Sequence, residues 1–200
     1  MMNHEIEIEF KNMLSKTKYD ELLAAFDIRE EEAVRQENHY FDTADFQLKS
    51  IESGLRIRIL PNKIECTLKE KTNDYTHIET TDILTEEEAK QILQGGQLTA
   101  PTVIARLQER NIAIEQLALF GTLATARVEI PYEGGLLVLD HSFYLQRDDY
   151  EVEYEATDET VGHTVFQQFL ANHNIPIAHA DKKIARFAAA LKEKERNDGY

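Results

Sequence analysis

Strand after strand, this sequence sets charged residues on one face and apolar residues on the other. Side chains alternate along an extended chain, so residues two apart share a face. Glu5, Glu7, Glu9 and Lys11 oppose Ile6, Ile8 and Phe10, and Arg56 and Arg58 oppose Leu55, Ile57 and Ile59. Glu65, Thr67, Lys69 and Lys71 oppose Cys66 and Leu68. Further on, Arg127 and Glu129 oppose Val128 and Ile130, while Glu151, Glu153 and Glu155 oppose Val152 and Tyr154. Asp140 departs from the pattern by sharing a face with Leu136 and Val138. Any one of these is an ordinary half-solvated strand. Taken together they call for a sheet with one charged side and one apolar side, the apolar side needing cover. A sheet curled into a barrel with its charges inward, wrapped by amphipathic helices, meets that demand.

The helices are written in the sequence. Tyr19, Leu22, Leu23 and Phe26 fall at helical spacing over 17–26, with Thr17 and Asp20 as candidate caps. Thr85 and Glu88 stand as a capping box before a helix that stops at Gly95-Gly96. Pro101 opens another over 101–110, and two more cover 159–173 and 181–195. Strands are expected at about 5–11, 33–42, 54–60, 63–71, 75–84, 121–132, 136–145 and 149–156. Pro61-Asn62, Gly134-Gly135 and Asp148-Asp149 supply turn chemistry between them. The length suits a single domain over 1–195, with 196–200 as a frayed tail.

Charge and cysteine content narrow the function. Lysine and arginine total 22 against 37 acidic residues, a formal net charge of -15, which argues against holding nucleic acid through its phosphates. A polyanionic ligand must therefore meet a locally basic site. The one cysteine, Cys66, excludes an internal disulfide and reads as a small buried strand residue in a reducing compartment. The amino terminus lacks a leader pattern, and no stretch nears the roughly 20 apolar residues of a membrane helix. A cytoplasmic location without a membrane partner is the expectation.

Glu7 and Glu9 are roughly 7 Å apart on one strand face, where their charges repel unless a cation intervenes. Carboxylates without cysteine or histidine partners favour a hard ion, magnesium, manganese or calcium, over zinc. None of the seven histidines has metal-ligand spacing. Arg56, Arg58, Lys69, Lys71 and Arg127 offer the forks and point charges that hold several phosphate oxygens at once.

These residues resemble a family. Glu7-Ile8-Glu9-Phe10-Lys11 looks like the Glu-x-Glu-x-Lys signature of the CYTH superfamily, the triphosphate tunnel metalloenzymes. Tyr40-Phe41-Asp42-Thr43, Leu55-Arg56-Ile57-Arg58, Thr67-Leu68-Lys69, Arg127-Val128-Glu129, Leu139-Asp140 and Tyr150-Glu151-Val152-Glu153-Tyr154-Glu155 follow in the family's order. The resemblance covers nearly the whole chain. It implies an α+β fold, a closed eight-stranded antiparallel β-barrel with helices packed on its outside. It implies Glu7, Glu9, Glu153 and Glu155 as metal ligands, with Glu151 able to replace one of them and Asp140 joining the network. It implies Lys11, Arg56, Arg58, Lys69 and Arg127 as phosphate ligands, with Lys71 a looser match. Lys183-Ile184-Ala185-Arg186-Phe187 is similar to a late Ser-Lys-Ile-x-Arg-Phe segment, which adds Lys183 and Arg186; Lys182 replaces the serine.

The activity so implied is hydrolysis of a small triphosphorylated substrate with Mg2+ or Mn2+. The substrate could be inorganic tripolyphosphate, thiamine triphosphate or a nucleoside triphosphate. Glu9, Lys69 and Arg127 are the catalytic candidates, the two cations stabilising charge on the transferred and leaving oxygens. A class IV-type adenylate cyclase releasing pyrophosphate from ATP, and a binding module without turnover, stay open beside it.

Overall fold

Alternation becomes eight antiparallel strands in the computed structural model, which describes residues 4–198. The strands are β1 (His4–Leu14), β2 (Val34–Asp42), β3 (Ser53–Ile59), β4 (Ile64–Lys71), β5 (Thr76–Leu84), β6 (Ala118–Tyr132), β7 (Gly135–Tyr144) and β8 (Arg147–Ala156). The helices are α1 (Lys16–Ala25), α2 (Gln47–Ser50), α3 (Glu86–Leu93), α4 (Pro101–Glu109), α5 (Glu159–Asn172) and α6 (Lys183–Asp198). The strands follow the hydrogen-bonded order β1-β5-β4-β3-β2-β6-β7-β8 and close as a barrel. Closure removes the exposed edges that an open sheet must protect. Among the described residues no helix is long and apolar enough to cross a membrane.

The chain divides into two compact units, one built of residues up to Glu7 with Gln36–Thr122, the other of Ile8–Arg35 with residues from Leu123 onward. In the first, β3 pairs with β4 so that Arg56 faces Thr67, and β4 with β5 so that Lys69 faces Glu79. The apolar side of these strands, Leu55, Ile57, Cys66 and Leu68, packs with Ala89 and Ile92 of α3 and Val103 and Leu107 of α4. Cys66 is buried as expected, and burial, with the Asp82 charge adding to it, pushes its thiol up to about 12. Asp82 also caps α4, accepting from the Thr102 and Val103 amides at 2.8 and 2.9 Å. A carboxylate there satisfies amides that have no partner within the helix. Asp42 of the Tyr-Phe-Asp-Thr segment does the same for α2, accepting from the amides of Leu48 and Lys49.

In the second unit Phe10, Val128, Leu137, Leu139, Val152 and Tyr154 lie under Leu22 and Leu23 of α1 and Phe166, Phe169 and Leu170 of α5. Each such large side chain contributes roughly 1.5–3 kcal/mol by leaving water. In both units helices cover the apolar side of the strands, α3 and α4 in the first and α1 and α5 in the second, and the opposite side carries the charged residues.

Four local expectations change. Ser15, not Thr17 or Asp20, caps α1 by accepting from the Lys18 amide, and Asp20 pairs with Lys16 instead. The turn between β7 and β8 is Leu145-Gln146, both at positive φ (46 and 66), while Asp148 and Asp149 lie within β8. Two left-handed residues match the twist of the flanking strands, and neither is a glycine or asparagine that would flag the turn. Between β6 and β7 the left-handed pair is Glu133-Gly134, one residue earlier than Gly134-Gly135. Finally, α6 continues through 196–198, where a tail was expected, and 199–200 fall outside the described residues. The four-residue α2 and the 3-10 turns Glu30–Glu32 and Ile114–Gln116 are too short to carry a period.

Candidate metal and phosphate site

The second unit concentrates the chemistry. Antiparallel register sets Arg127 of β6 opposite Asp140 of β7, Asp140 opposite Glu151 of β8, and Glu153 opposite Lys11 of β1. Asp140, Glu151 and Glu153 are almost completely buried, 0%, 0% and 3% exposed. One oxygen from each comes within 4.8 Å of the others. Three carboxylates this close and this dry are costly unless cations neutralise them.

Four cations do so. Lys11 Nζ lies 2.8 Å from Glu153 Oε1 and 2.9 Å from Glu9 Oε2. Arg127 forks onto Asp140, Nε donating to Oδ1 at 2.8 Å and Nη2 to Oδ2 at 2.6 Å, and Nη2 also reaches Glu153 Oε2 at 2.9 Å. Lys183, the first residue of α6, sits 2.7 Å from Asp140 Oδ2 and 2.9 Å from Glu153 Oε1, and touches Glu151. Arg186 spans Glu151 Oε2 at 2.5 Å and Asp149 Oδ2 at 3.0 Å. Glu155 faces Glu9 in register, and its charge bears on Arg127.

Burial and charge compete at every member. Burial works against the charge of Glu153, but Lys11, Lys183 and Arg127 outweigh it and hold the carboxyl well below its ordinary range. Asp140 is depressed for the same reason, with Arg127 and Lys183 overcoming burial. Glu151 goes the other way: burial, reinforced by the Glu153 charge, prevails over Lys183 and Lys11 and raises it. Lys11, Arg127, Lys183 and Arg186 resist the effect of burial through their carboxylate partners and lose their protons only at higher pH than usual.

The first unit carries a looser set. Lys69 contacts Glu7 and lies 3.5 Å from Glu79 Oε1, which Arg56 Nη2 approaches to 3.8 Å. Arg58 Nε donates to Asn38 Oδ1 at 2.9 Å. Glu7 and Lys69 are 22% and 21% exposed. Lys71, at the strand end, pairs with Glu52 and Asp74 at 3.1 and 3.2 Å. His77 is buried on β5 and brings a ring nitrogen within 4.8 Å of a Glu7 oxygen.

Of the expected residues, Glu9, Lys11, Arg127, Asp140, Glu151, Glu153, Lys183 and Arg186 therefore meet in one unit. Glu7, Lys69 and Arg56 meet in the other, with Arg58 on Asn38 and Lys71 turned to surface acids. Glu79, Asp149 and His77 join these sets without a sequence motif to single them out. For Glu79 the signal was available: once Lys69 is placed on β4, pairing with the next strand puts Glu79 beside it.

Hard oxygen donors in buried convergence suit a divalent ion of the magnesium or manganese kind, so the donor set fits the group that the resemblance implies. The fold is a closed eight-stranded barrel whose charged strand face is joined by Lys183 and Arg186 of α6, and the chain belongs to the CYTH domain family, matching it over residues 5–188. It is 41% identical over 186 residues to YjbK of Bacillus subtilis (strain 168), described as a candidate triphosphatase, covering 93% of this chain and 96% of that one. A crystal structure from Bacillus halodurans, described as a candidate adenylate cyclase, is 41% identical with a TM-score of 0.89 over 93% of this chain and 99% of that one. A Hippeastrum protein described as a candidate adenylyl cyclase with a dominant triphosphatase activity shares the fold at 23% identity and a TM-score of 0.73, over 93% of this chain and 96% of that one.

Proposed function

We propose that this protein is a cytoplasmic hydrolase, one CYTH domain over 1–195, that cleaves a small triphosphorylated substrate with the help of Mg2+ or Mn2+. The observation that carries the reading is the buried convergence of Asp140, Glu151 and Glu153 among Lys11, Arg127, Lys183 and Arg186. A purely structural ion-pair cluster would need only neutrality. This one also turns oxygens of three carboxylates to within 4.8 Å of one another, with Lys11, Arg127 and Lys183 all converging on Glu153. The description of YjbK at 41% identity supports the same reaction class.

Asp140, Glu151 and Glu153 would hold the ion, with Glu7, Glu9 and Glu155 as further carboxylates. Bound there, a divalent ion supplies Lewis-acid polarisation of phosphoryl oxygens and acidifies a coordinated water. The chain's own residues do the rest. Lys11, Arg56, Arg58, Lys69, Arg127, Lys183 and Arg186 bind phosphate oxygens, with Lys71 an outer contact. Arg127 and Lys69 stabilise charge growing on the transferred and leaving oxygens, the dominant contribution in phosphoryl transfer. Glu9 keeps Lys11 charged and in place through its 2.9 Å ion pair.

Adenylate cyclase activity is the second reading, favoured by the description of the Bacillus halodurans structure at 41% identity. One assay separates the two. Tripolyphosphate, thiamine triphosphate and ATP are each incubated with protein and Mg2+ or Mn2+, and orthophosphate and cyclic AMP are both measured. Orthophosphate release is expected; cyclic AMP with pyrophosphate overturns hydrolysis, and tight binding with neither product turns the chain into a capture module. Glu9→Gln is expected to lose turnover by about a hundredfold or more while its melting temperature stays near that of the parent. Full activity in that variant removes Glu9 from the site.

A further inference from the structure

Lys183 Nζ engages every member of the buried carboxylate triad: Asp140 Oδ2 at 2.7 Å, Glu153 Oε1 at 2.9 Å, and Glu151 in direct contact. These are the three side chains whose oxygens converge within 4.8 Å. A single cation centred on three hard anions is the arrangement a divalent ion would adopt at the same place. Lys11 and Arg127 already serve Glu153 and Asp140. A divalent ion added while Lys183 stayed would therefore crowd cations together at a nearly dry site, where like charges repel strongly.

We propose that Lys183 is a tethered stand-in for the divalent ion: it neutralises Asp140, Glu151 and Glu153 in the ion-free protein and withdraws from them when the ion is bound, which frees its ammonium for substrate phosphate. The inference rests on those three carboxylates being the ion's ligands. It couples two events that are otherwise separate, because the ammonium becomes available for phosphate only after the carboxylates are taken.

The chain around Lys183 is built for a short withdrawal. Upstream, Asn12 fixes the approach: its Oδ1 accepts from the Ala178 amide at 2.8 Å and its Nδ2 donates to the Pro176 carbonyl at 3.0 Å. The Met13 amide adds a bond to the Ala178 carbonyl at 3.0 Å. Residues 179–182, between that anchor and α6, have no regular secondary structure. Downstream, Arg186 holds Asp149 and Arg147 holds Glu193 at 2.8 Å, so the helix keeps its seat when the lysine lets go. The side chain can move while its flanks remain attached.

The test is Mn2+ binding to the full chain by titration calorimetry, without substrate. Lys183→Met, which keeps an unbranched apolar stem but no charge, is expected to bind Mn2+ roughly tenfold tighter than the parent or better, a coupling typical of competing ligands. Lys183→Arg is expected to show no gain. An independent measurement needs no variant: on adding Mn2+ to the parent protein, the Lys183 ammonium is expected to react faster with an amine-acylating reagent, read by mass spectrometry, while backbone amides of 12–14 keep their exchange rates. Unchanged or weaker Mn2+ binding by Lys183→Met, when the parent binds Mn2+, overturns the inference and leaves the hydrolase reading standing. So does unchanged or slower acylation of Lys183. Failure of both the parent and Lys183→Met to bind Mn2+ at all overturns the metal site itself, and this inference with it.

Discussion

The two units carry the same kinds of charged side chain under opposite conditions. In the second, Asp140, Glu151 and Glu153 are locked by several cations each and are almost fully removed from water. In the first, Glu7, Lys69, Glu79 and Arg56 meet while roughly a fifth exposed, with looser separations of 3.5 and 3.8 Å at Glu79. A buried, crowded cluster gives up a cation only in exchange for another, because each member is costly when left alone. A part-solvated set pays little to release a partner, since water replaces it. Under the proposed reading, the second unit is suited to hold a divalent ion, and the first to exchange one anionic partner for another.

The sharpest way to break the contrast is to remove one carboxylate from each unit. Glu153→Gln leaves Lys11, Arg127 and Lys183 without their shared anion and is expected to cost about 3–5 kcal/mol. Glu7→Gln is expected to stay within about 1 kcal/mol. Urea unfolding with chelator present reads both. Acid adds a second test of the buried cluster. Glu153 and Asp140 hold protons less tightly when folded than when unfolded. Their stabilisation is therefore complete above the ordinary carboxylate value of about 4 and is lost as pH falls through the folded values. Glu151, raised by burial, works in the opposite sense and offsets part of that loss on the acid side. Glu153→Gln should flatten the acid limb of the stability profile. Equal costs for the two variants would erase the distinction between the units.

Much of this was legible from alternation, and the residues show why. Glu9, Lys11, Arg127, Glu151 and Glu153 are strand residues whose face follows from parity once the strand is recognised. Asp140 breaks the apolar pattern of its own face, yet register against Arg127 and Glu151 makes it the centre of the cluster. Parity says which side a residue faces and nothing about its partner across the sheet. Parity alone accordingly singled out neither Glu79 nor His77, and only pairing of β4 with β5 sets them opposite Lys69 and Lys71. The Leu145-Gln146 turn left no trace because its backbone is forced by the strands it joins, not by its own side chains. Nor could spacing show that Lys183 reaches across to three carboxylates from an outlying helix, since that depends on how Asn12 anchors the preceding segment.

Within the first unit, Lys69 and Lys71 sharpen the picture by one strand repeat. They share a face of β4, but Lys69 sits among Glu7 and Glu79 while Lys71 is spent on Glu52 and Asp74 at the surface. Lys69→Ala is expected to lower turnover by about a hundredfold. Lys71→Ala should change it by about threefold at most, as a solvated ion pair does. Initial-rate measurement on tripolyphosphate with Mg2+ compares them, and a larger loss for Lys71→Ala would move the phosphate contact to the strand end.

The smallest effect probes space instead of charge. A Cβ on Gly162 of α5 would come 2.4 Å from Ala156 Cβ and 2.8 Å from Phe10 Cε2, so that helix lies hard against the apolar side of β8 and β1. A Cβ on Gly54 of β3 would meet nothing within 4 Å, although Gly54 faces Lys69 in register. Gly162→Ala is expected to cost about 1–3 kcal/mol through overpacking, whereas Gly54→Ala should fall within about 1 kcal/mol of the parent. Thermal melting of the two variants measures how tightly the helix-covered side of one unit is filled and how open the charged side of the other is left. If Gly54→Ala were the more damaging, the first unit's charged side would be packed rather than open, and its residues could not give way to incoming phosphate.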